Sequence, residues 1–123
     1  MPRLNRDDRG AVMVEFAIIL PVLLLILLGI VEFGRAYNVQ VSIQAAAREG
    51  ARELALRPSN PTIVDDAART GAPSVTIDSI AQTPCPATGD GKATVKITEK
   101  FSFLALPFAP IDLTATGVMR CGL

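Results

Sequence analysis

Residues 9–35 read RGAVMVEFAIILPVLLLILLGIVEFGR, and this stretch decides the architecture of the chain. Between Ala11 and Val31 the single charged residue is Glu15. A helix over these 21 residues is about 30 Å long, the thickness of the hydrocarbon core of a bilayer. The sequence therefore predicts a transmembrane segment at residues 11–32.

Two other interpretations explain the apolar run less well. A chain of 123 residues is too short to surround an all-apolar helix of this length as a core element. A secretory signal peptide has an apolar region of about 7–15 residues and small residues at its cleavage site. Here the run is longer, and it is followed by Glu32, Phe33, Gly34 and Arg35.

Basic residues on the two sides of the run predict its orientation. Arg3, Arg6 and Arg9 precede it, whereas Arg35 is the one basic residue close behind it. Because basic residues stay preferentially on the cytoplasmic side, we expect residues 1–10 in the cytoplasm and the chain after Glu32 to be exported.

Residues 33–57 are predicted to continue the helix as an amphipathic segment, because no proline interrupts them before Pro58. Apolar or small residues at helical spacing form one stripe: Val39, Ile43, Ala47, Gly50 and Leu54. The face opposite the stripe is expected to carry Gln40, Gln44, Arg48, Arg52 and Glu53. The stripe packs either on the C-terminal domain of the same chain, which we favour, or on the helix of another subunit.

Residues 58–123 are predicted to form a small exported α+β domain. Asn60 and Pro61 are typical of a helix start, and Gly71 of its end. Alternating apolar residues predict strands at 75–80, at 93–98 with a continuation to Phe103, and at 113–119. Residues 84–91 and 106–110 read as loops. The predicted fold is thus α+β, with a long N-terminal helix and a three-stranded antiparallel sheet packed on it.

The two cysteines lie in the loop after the first predicted strand and just beyond the last one. In an exported compartment, Cys85 and Cys121 are expected to form a disulfide that stabilises a domain of this small size. The alternative is a pair of unbonded, buried thiols.

Composition argues against catalysis and against several kinds of ligand. The chain has no histidine, so imidazole bases and histidine metal sites are excluded. Two cysteines alone do not make a four-ligand zinc site. The net charge is zero and there is no phosphate-binding glycine motif. We therefore expect no enzyme, no metal, no cofactor and no nucleic-acid partner.

The N-terminal segment resembles the TadE-like family of type IV pilin-like proteins, minor pseudopilins of Tad/Flp systems. The resemblance covers residues 9 to about 55. It rests on Arg9-Gly10, Val14-Glu15-Phe16-Ala17, Pro21, the leucine-rich run, Phe33-Gly34-Arg35 and the sequence AAREGAR.

This resemblance implies that a prepilin peptidase cuts between Gly10 and Ala11. Glu15, followed by Phe16 and Pro21 in the apolar helix, would then pair with the new terminal amine of its own or a neighbouring subunit and set subunit register. The alternative for Glu15 is a carboxylate that reaches the cytoplasmic interface by itself. The implied partners are the inner membrane, the prepilin peptidase, other pseudopilins, the major pilin and the inner-membrane assembly platform.

Two functions remain for the whole chain. The first is a minor pseudopilin acting in pilus assembly or initiation, possessing no chemistry of its own. The second is an uncleaved single-pass envelope protein whose exported domain binds a ligand or surface. In that case the cluster formed by Phe101-Ser102-Phe103-Leu104 and Leu106-Pro107-Phe108 would be a contact patch, although such residues are more often part of a core.

Overall fold

The computed structural model of the protein describes residues 6–87 and 91–122. Expectations for residues 1–5 of the leader, including Arg3, and for residues 88–90 of the predicted loop lie outside the described residues. The described elements are α1 (Arg6–Leu56), α2 (Pro61–Gly71), β1 (Ser79–Thr83), β2 (Lys92–Phe101) and β3 (Ile111–Arg120). The predicted α+β fold, a long apolar helix followed by a three-stranded antiparallel sheet, is confirmed.

Helix α1 has 51 residues and is therefore about 76 Å long. It begins upstream of Gly10, with Asp7 and Asp8 in its first turn, where carboxylates favour the positive end of the helix dipole. The chain remains helical through Pro21. The helix ends at Leu56, shortly before Pro58, which disfavours helical geometry in the residue preceding it.

Helix α2 returns along the distal part of α1. Pro61 occupies its first turn, where the missing amide hydrogen leaves no bond unmade. Val64 and Ala68 are fully buried between the helices. At Gly71 a Cβ would lie 3.1 Å from the Cα of Ala46, so glycine allows the end of α2 to approach α1 closely.

The strands pair in the order β1-β2-β3, each antiparallel to the next. Ala93, Val95 and Ile97 alternate along β2 and are fully buried against α1. Period-two alternation places such residues on one face of a sheet. On β3 the buried positions are Ala115 and Gly117, and a Cβ on Gly117 would overlap the carbonyl group of Ala47.

The predicted first strand at 75–80 is wrong in its position, since β1 spans Ser79–Thr83. Ile77 is buried at 4% exposure, so its apolar character reflects core packing outside a strand. The strand pairing stops at Ser79 and Thr98, and next to it the side chain of Asp78 accepts a hydrogen bond from the amide of Lys100 at 2.6 Å. The amide of Lys100 therefore donates to a side chain and is not available for a backbone hydrogen bond with a longer β1.

The predicted continuation of the second strand to Phe103 is also wrong, because β2 ends at Phe101. The amides of Leu104 and Ala105 donate to the side chain of Glu32 on α1. This tertiary contact directs the chain away from the sheet immediately after the strand.

Candidate functional site on the long helix

The N-terminal half of α1 is an exposed apolar surface. Its large apolar side chains range in exposure from 38% at Leu20 to 75% at Met13. An 18-residue window of this helix has a mean hydropathy of 2.9, and none of it is buried. Apolar surface of this extent is unfavourable in water. The helix is long and apolar enough to cross a bilayer.

The residues predicted for processing and register lie on this exposed half. Gly10, Ala11, Glu15, Phe16 and Pro21 are all helical and exposed. The structure brings none of them to the C-terminal domain. At Gly10 a Cβ would meet no atom within 4 Å, so the packing of the described chain does not require glycine at this position.

The predicted helix-packing stripe lies against the chain's own domain. Ile43 and Ala47 are fully buried, Leu54 is 2% exposed, and Gly50 is buried. Val39 is partly buried at the edge of the same core. A Cβ on Gly50 would lie 3.3 Å from a methyl group of Val95. The small residues of the stripe therefore let the sheet approach α1 closely.

The expectation that Gln40 and Gln44 face away from the domain is wrong. The amide nitrogen of Gln40 donates to the carbonyl of Thr114 at 2.9 Å. Gln44 donates in the same way to Thr116 at 3.2 Å. Both side chains bond to backbone of β3, the strand at one edge of the sheet. Polarity suggested a solvent face, but an unpaired strand edge offers polar partners as water does.

A second exposed stripe begins at the end of the apolar run and continues along α1, and the sequence analysis missed it. Its members are Ile30 (63% exposed), Phe33 (78%), Tyr37 (68%) and Val41 (50%). Spacings of three and four residues place them on one helix face. This stripe extends the exposed surface of the apolar segment towards the C-terminal half of the helix, while the stripe at 39–54 faces the domain.

Glu32 is the second feature that the sequence analysis missed, because in the sequence it only marks the end of the apolar run. Its residue exposure is 3%. One carboxylate oxygen accepts hydrogen bonds from the amides of Leu104 at 2.9 Å and Ala105 at 3.0 Å. The other accepts one from the guanidinium of Arg35 at 2.7 Å. These charge-assisted bonds offset the desolvation of a buried carboxylate.

Arg35 links Glu32 to a row of aromatic rings. Its guanidinium lies 5.0 Å from the centre of the Phe101 ring. Phe101 packs edge to face on Phe103, which packs in the same way on Phe108. Phe101 is buried at 3% exposure, whereas Leu104 (78%) and Phe108 (63%) are exposed. The aromatic cluster therefore has one end in the core and one end at the surface.

Cys85 and Cys121 form a disulfide, which confirms the predicted bond; their Cα atoms lie 5.8 Å apart. The amide of Cys121 donates to the carbonyl of Gly91 at 3.0 Å. The bridge ties the end of β3 to the segment before β2. It lies at the opposite end of the sheet from Glu32, because Lys92 pairs with Arg120 and Phe101 with Ile111.

An open groove between α1 and α2 carries several charged side chains, among them Glu49, Glu53, Asp66 and Arg57. In residues 6–87 and 91–122, no group of three or more histidine, cysteine or acidic side chains is arranged to hold a metal ion. The groove offers no arrangement that points to a ligand.

These features define a membrane-anchored protein in which one exposed apolar helix carries a small, disulfide-bonded α+β domain. Residues 10–52 match the family described as TadE-like protein, so the resemblance seen in the sequence is confirmed for this segment. The match covers about a third of the 123 residues of the chain. The match begins at Gly10 and ends within α1, so the sheet lies outside it. No curated protein and no solved structure matches the chain significantly.

Proposed function

We propose that this protein is a minor pseudopilin of a Tad/Flp-type pilus or secretion system. A prepilin peptidase removes residues 1–10, and the mature protein acts in pilus assembly or initiation. It is held in the inner membrane with its N-terminus cytoplasmic and its C-terminal domain exported. Its partners are the peptidase, other pseudopilins, the major pilin and the inner-membrane platform.

The observation that carries this proposal is the position of the family match. It starts at Gly10, the residue before the proposed scissile bond, and covers the whole apolar segment. The same segment is the part of the chain that its own domain leaves uncovered. A subunit that works by packing needs a helix of this kind, available to lipid before assembly and to other subunits afterwards.

Gly10 supports processing because it stands directly before the proposed scissile bond and no packing contact in the described chain requires glycine there. Gly50, Gly71 and Gly117 each have close neighbours where a Cβ would stand, whereas Gly10, like Gly29 and Gly34 of the same helix, has none within 4 Å. Glycine in the middle of a helix destabilises it by about 1 kcal/mol relative to alanine. A peptidase whose active site is too narrow for a side chain before the scissile bond accounts for this unfavourable choice.

Glu15 supports a pairing role within the membrane. A carboxylate at the centre of a transmembrane helix costs about 2.5–3.5 kcal/mol, and less near the interface. In the described part of the chain, the ion pairs of α1 use Glu32, Glu49 and Glu53, and the Glu15 side chain is exposed. Ala11 and Glu15 are four residues apart and so lie on the same helix face. A terminal amine at Ala11, from the same or a neighbouring subunit, would neutralise the charge there.

The stripe at Ile30, Phe33, Tyr37 and Val41 provides a contact surface that continues from the end of the transmembrane segment into the part of the helix outside the membrane. It is exposed in this chain, while the stripe at 39–54 is occupied by the domain. One helix can therefore hold its own domain and a neighbouring subunit at the same time. Pro21 allows local adjustment of the helix during such packing, since proline removes one backbone hydrogen bond.

The pairing role is tested by Glu15→Gln in cells that assemble the pilus. We expect fewer pili and weaker photo-cross-linking from a photoreactive phenylalanine derivative placed at position 37. Glu49→Gln is the matched control, because Glu49 lies on the same helix in a solvent-exposed pair with Arg52 at 3.6 Å. Unchanged assembly and cross-linking in Glu15→Gln would remove the pairing role and leave the interfacial alternative.

The competing function is an uncleaved envelope protein whose domain binds a ligand or surface. The exposed Leu104 and Phe108 are the observation in its favour. Such a protein would keep residues 1–10 in its native membrane, and the Glu15→Gln variant would retain full activity. A pseudopilin, in contrast, is expected to lose residues 1–10 and to assemble fewer pili when it carries Glu15→Gln.

A further inference from the structure

The segment between β2 and β3 is an apolar loop held at the end of the apolar helix. Residues 101–110 read FSFLALPFAP and contain no charged residue. The loop is fixed by the two hydrogen bonds from Leu104 and Ala105 to Glu32. Glu32 directly follows Val31, the last residue of the apolar run. The loop backbone therefore stands at the level where α1 leaves the hydrocarbon core.

The exposed side chains of the loop are suited to the boundary between headgroups and acyl chains. Leu104 is 78% exposed and Phe108 is 63% exposed. On the helix beside the loop, Phe33 is also 78% exposed. Aromatic and aliphatic side chains at the boundary of headgroups and acyl chains are favourable there and unfavourable in water.

Several polar groups of the loop are either absent or already hydrogen-bonded, so the loop can lose part of its hydration at low cost. Pro107 and Pro110 have no amide hydrogen. The amides of Leu104 and Ala105 already donate to Glu32, and the charge of that carboxylate is balanced by Arg35 at 2.7 Å. Each of these features lowers the cost of removing water, because unpaired backbone donors and lone charges are the expensive groups to transfer.

From these observations we propose that residues 102–110 form a second membrane contact, in which Leu104 and Phe108 enter the boundary between headgroups and acyl chains. The occupant of this surface is the outer face of the same bilayer that α1 crosses. The argument for lipid is continuity, since the patch adjoins the apolar surface of the helix and is tied to its end. Two attachment points, the helix and the loop, fix the tilt and rotation of the exported domain relative to the membrane.

This inference rests on membrane anchoring by α1 but is independent of cleavage at Gly10. The chain contains no tryptophan, so a single introduced tryptophan reports its own surroundings. Leu104→Trp and Phe108→Trp place the probe in the loop, where both side chains are exposed and a larger one is accommodated. Leu25→Trp, at a 63% exposed site in the apolar segment, serves as the membrane control. Leu56→Trp, at the far end of α1, serves as the water control about 36 Å from Glu32 along the helix.

Each full-length variant is reconstituted in phosphatidylcholine vesicles, with or without bromine on the acyl chains near the headgroups. We expect Leu104→Trp and Phe108→Trp to be quenched by the brominated lipid to a degree comparable with Leu25→Trp. Their emission should be shifted to the blue, and Leu56→Trp should be unaffected.

The possible results test the loop contact and the membrane anchor separately. If Leu25→Trp is quenched and the two loop variants behave like Leu56→Trp, the loop contact is overturned and the anchor stands. A blue shift in the loop variants without quenching by brominated lipid means that a second copy of the chain covers the patch, which also overturns the proposal. If Leu25→Trp itself is not quenched, membrane anchoring fails, and the pseudopilin assignment fails with it.

Discussion

A carboxylate oxygen of Glu32 lies 2.9 Å from the backbone nitrogen of Leu104, which is 72 residues further along the chain. This hydrogen bond joins the end of the apolar helix to the loop between β2 and β3. The disulfide between Cys85 and Cys121 closes the opposite end of the sheet. The domain is thus fastened at its end near the apolar segment by a buried carboxylate and at its distal end by a covalent bond.

Replacing Glu32 with alanine should release the loop at residues 102–110. Hydrogen bonds to a charged group contribute about 1.5–3 kcal/mol each, and this carboxylate accepts two from the loop. We expect faster hydrogen exchange at the amides of Leu104 and Ala105, while the amides of β2 remain protected. Glu49→Ala is the control, since an exposed ion pair contributes about 0–1 kcal/mol. Unchanged exchange at Leu104 in Glu32→Ala would contradict the role assigned to this bond.

The contact of Gly117 with Ala47 predicts a large effect of a small substitution. Gly117→Ala would place a methyl group on the carbonyl of Ala47, so β3 must move away from α1. Overpacking of this kind destabilises by about 1–3 kcal/mol. The free energy of unfolding of the domain, measured by pulse proteolysis in urea with the full chain in detergent, should fall accordingly. Val118→Ala, at the neighbouring site with 53% exposure, should change it by about 0.5 kcal/mol or less.

Removal of the disulfide should destabilise the domain without changing the helix. The bonded cysteines are 36 residues apart, and a loop of this length is expected to contribute roughly 3–4 kcal/mol through the entropy of the unfolded chain. The double variant Cys85→Ser with Cys121→Ser should unfold at lower urea concentration in the same assay. Its helical circular dichroism from α1 should persist. Equal urea midpoints for this variant and the parent chain would show that the bond does not stabilise the fold.

The carboxyl group of Glu99 should make stability depend on pH. Its partial burial, and then the negative charge of Asp78, raise the pKa of Glu99 above its ordinary value. One of its oxygens has no hydrogen-bond partner among the described residues. Because the folded pKa is the higher one, the folded state takes up the proton first, and stability increases as the pH falls from above the folded pKa to the unfolded pKa.

Glu99→Gln removes this charge and should raise the free energy of unfolding at neutral pH. It should also flatten the increase in stability between neutral and mildly acidic pH. Asp112→Asn, at an exposed site on β3, is the control and should keep the increase. A Glu99→Gln variant with the same pH profile as the parent chain would assign the increase to other groups.

Local sequence patterns predicted the packing face of α1 and the position where α1 ends. The stripe at Val39, Ile43 and Leu54 follows from helical periodicity, and the end of α1 follows from Pro58. Periodicity did not predict the conformation at Ile77. Apolar residues alternate with polar ones both in a strand and in an irregular segment that packs on the core. The conformation at Ile77 depends on Asp78 and Lys100, which meet only in the folded chain.

Among the candidate functional residues, some carry a local sequence signal and others depend on contacts that form only in the folded chain. Gly10 and Glu15 are predicted functional residues because their spacing and the apolar run behind them are sequence signals. The bond between Glu32 and Leu104 carries no such signal, since the partner is a backbone amide and any residue provides one. Glu32 and Arg35, three residues apart on a helix, were a visible pair, but their burial depends on the loop that covers them.

The most direct test of the central claim is the intact mass of the protein taken from its native membrane in cells with an active prepilin peptidase. Processing predicts a chain that begins at Ala11. Gly10→Ala should block the cut, whereas Gly29→Ala, which also has open space around the added methyl group, should leave it unchanged. A wild-type chain that retains residues 1–10 under these conditions would contradict the assignment as a processed pseudopilin.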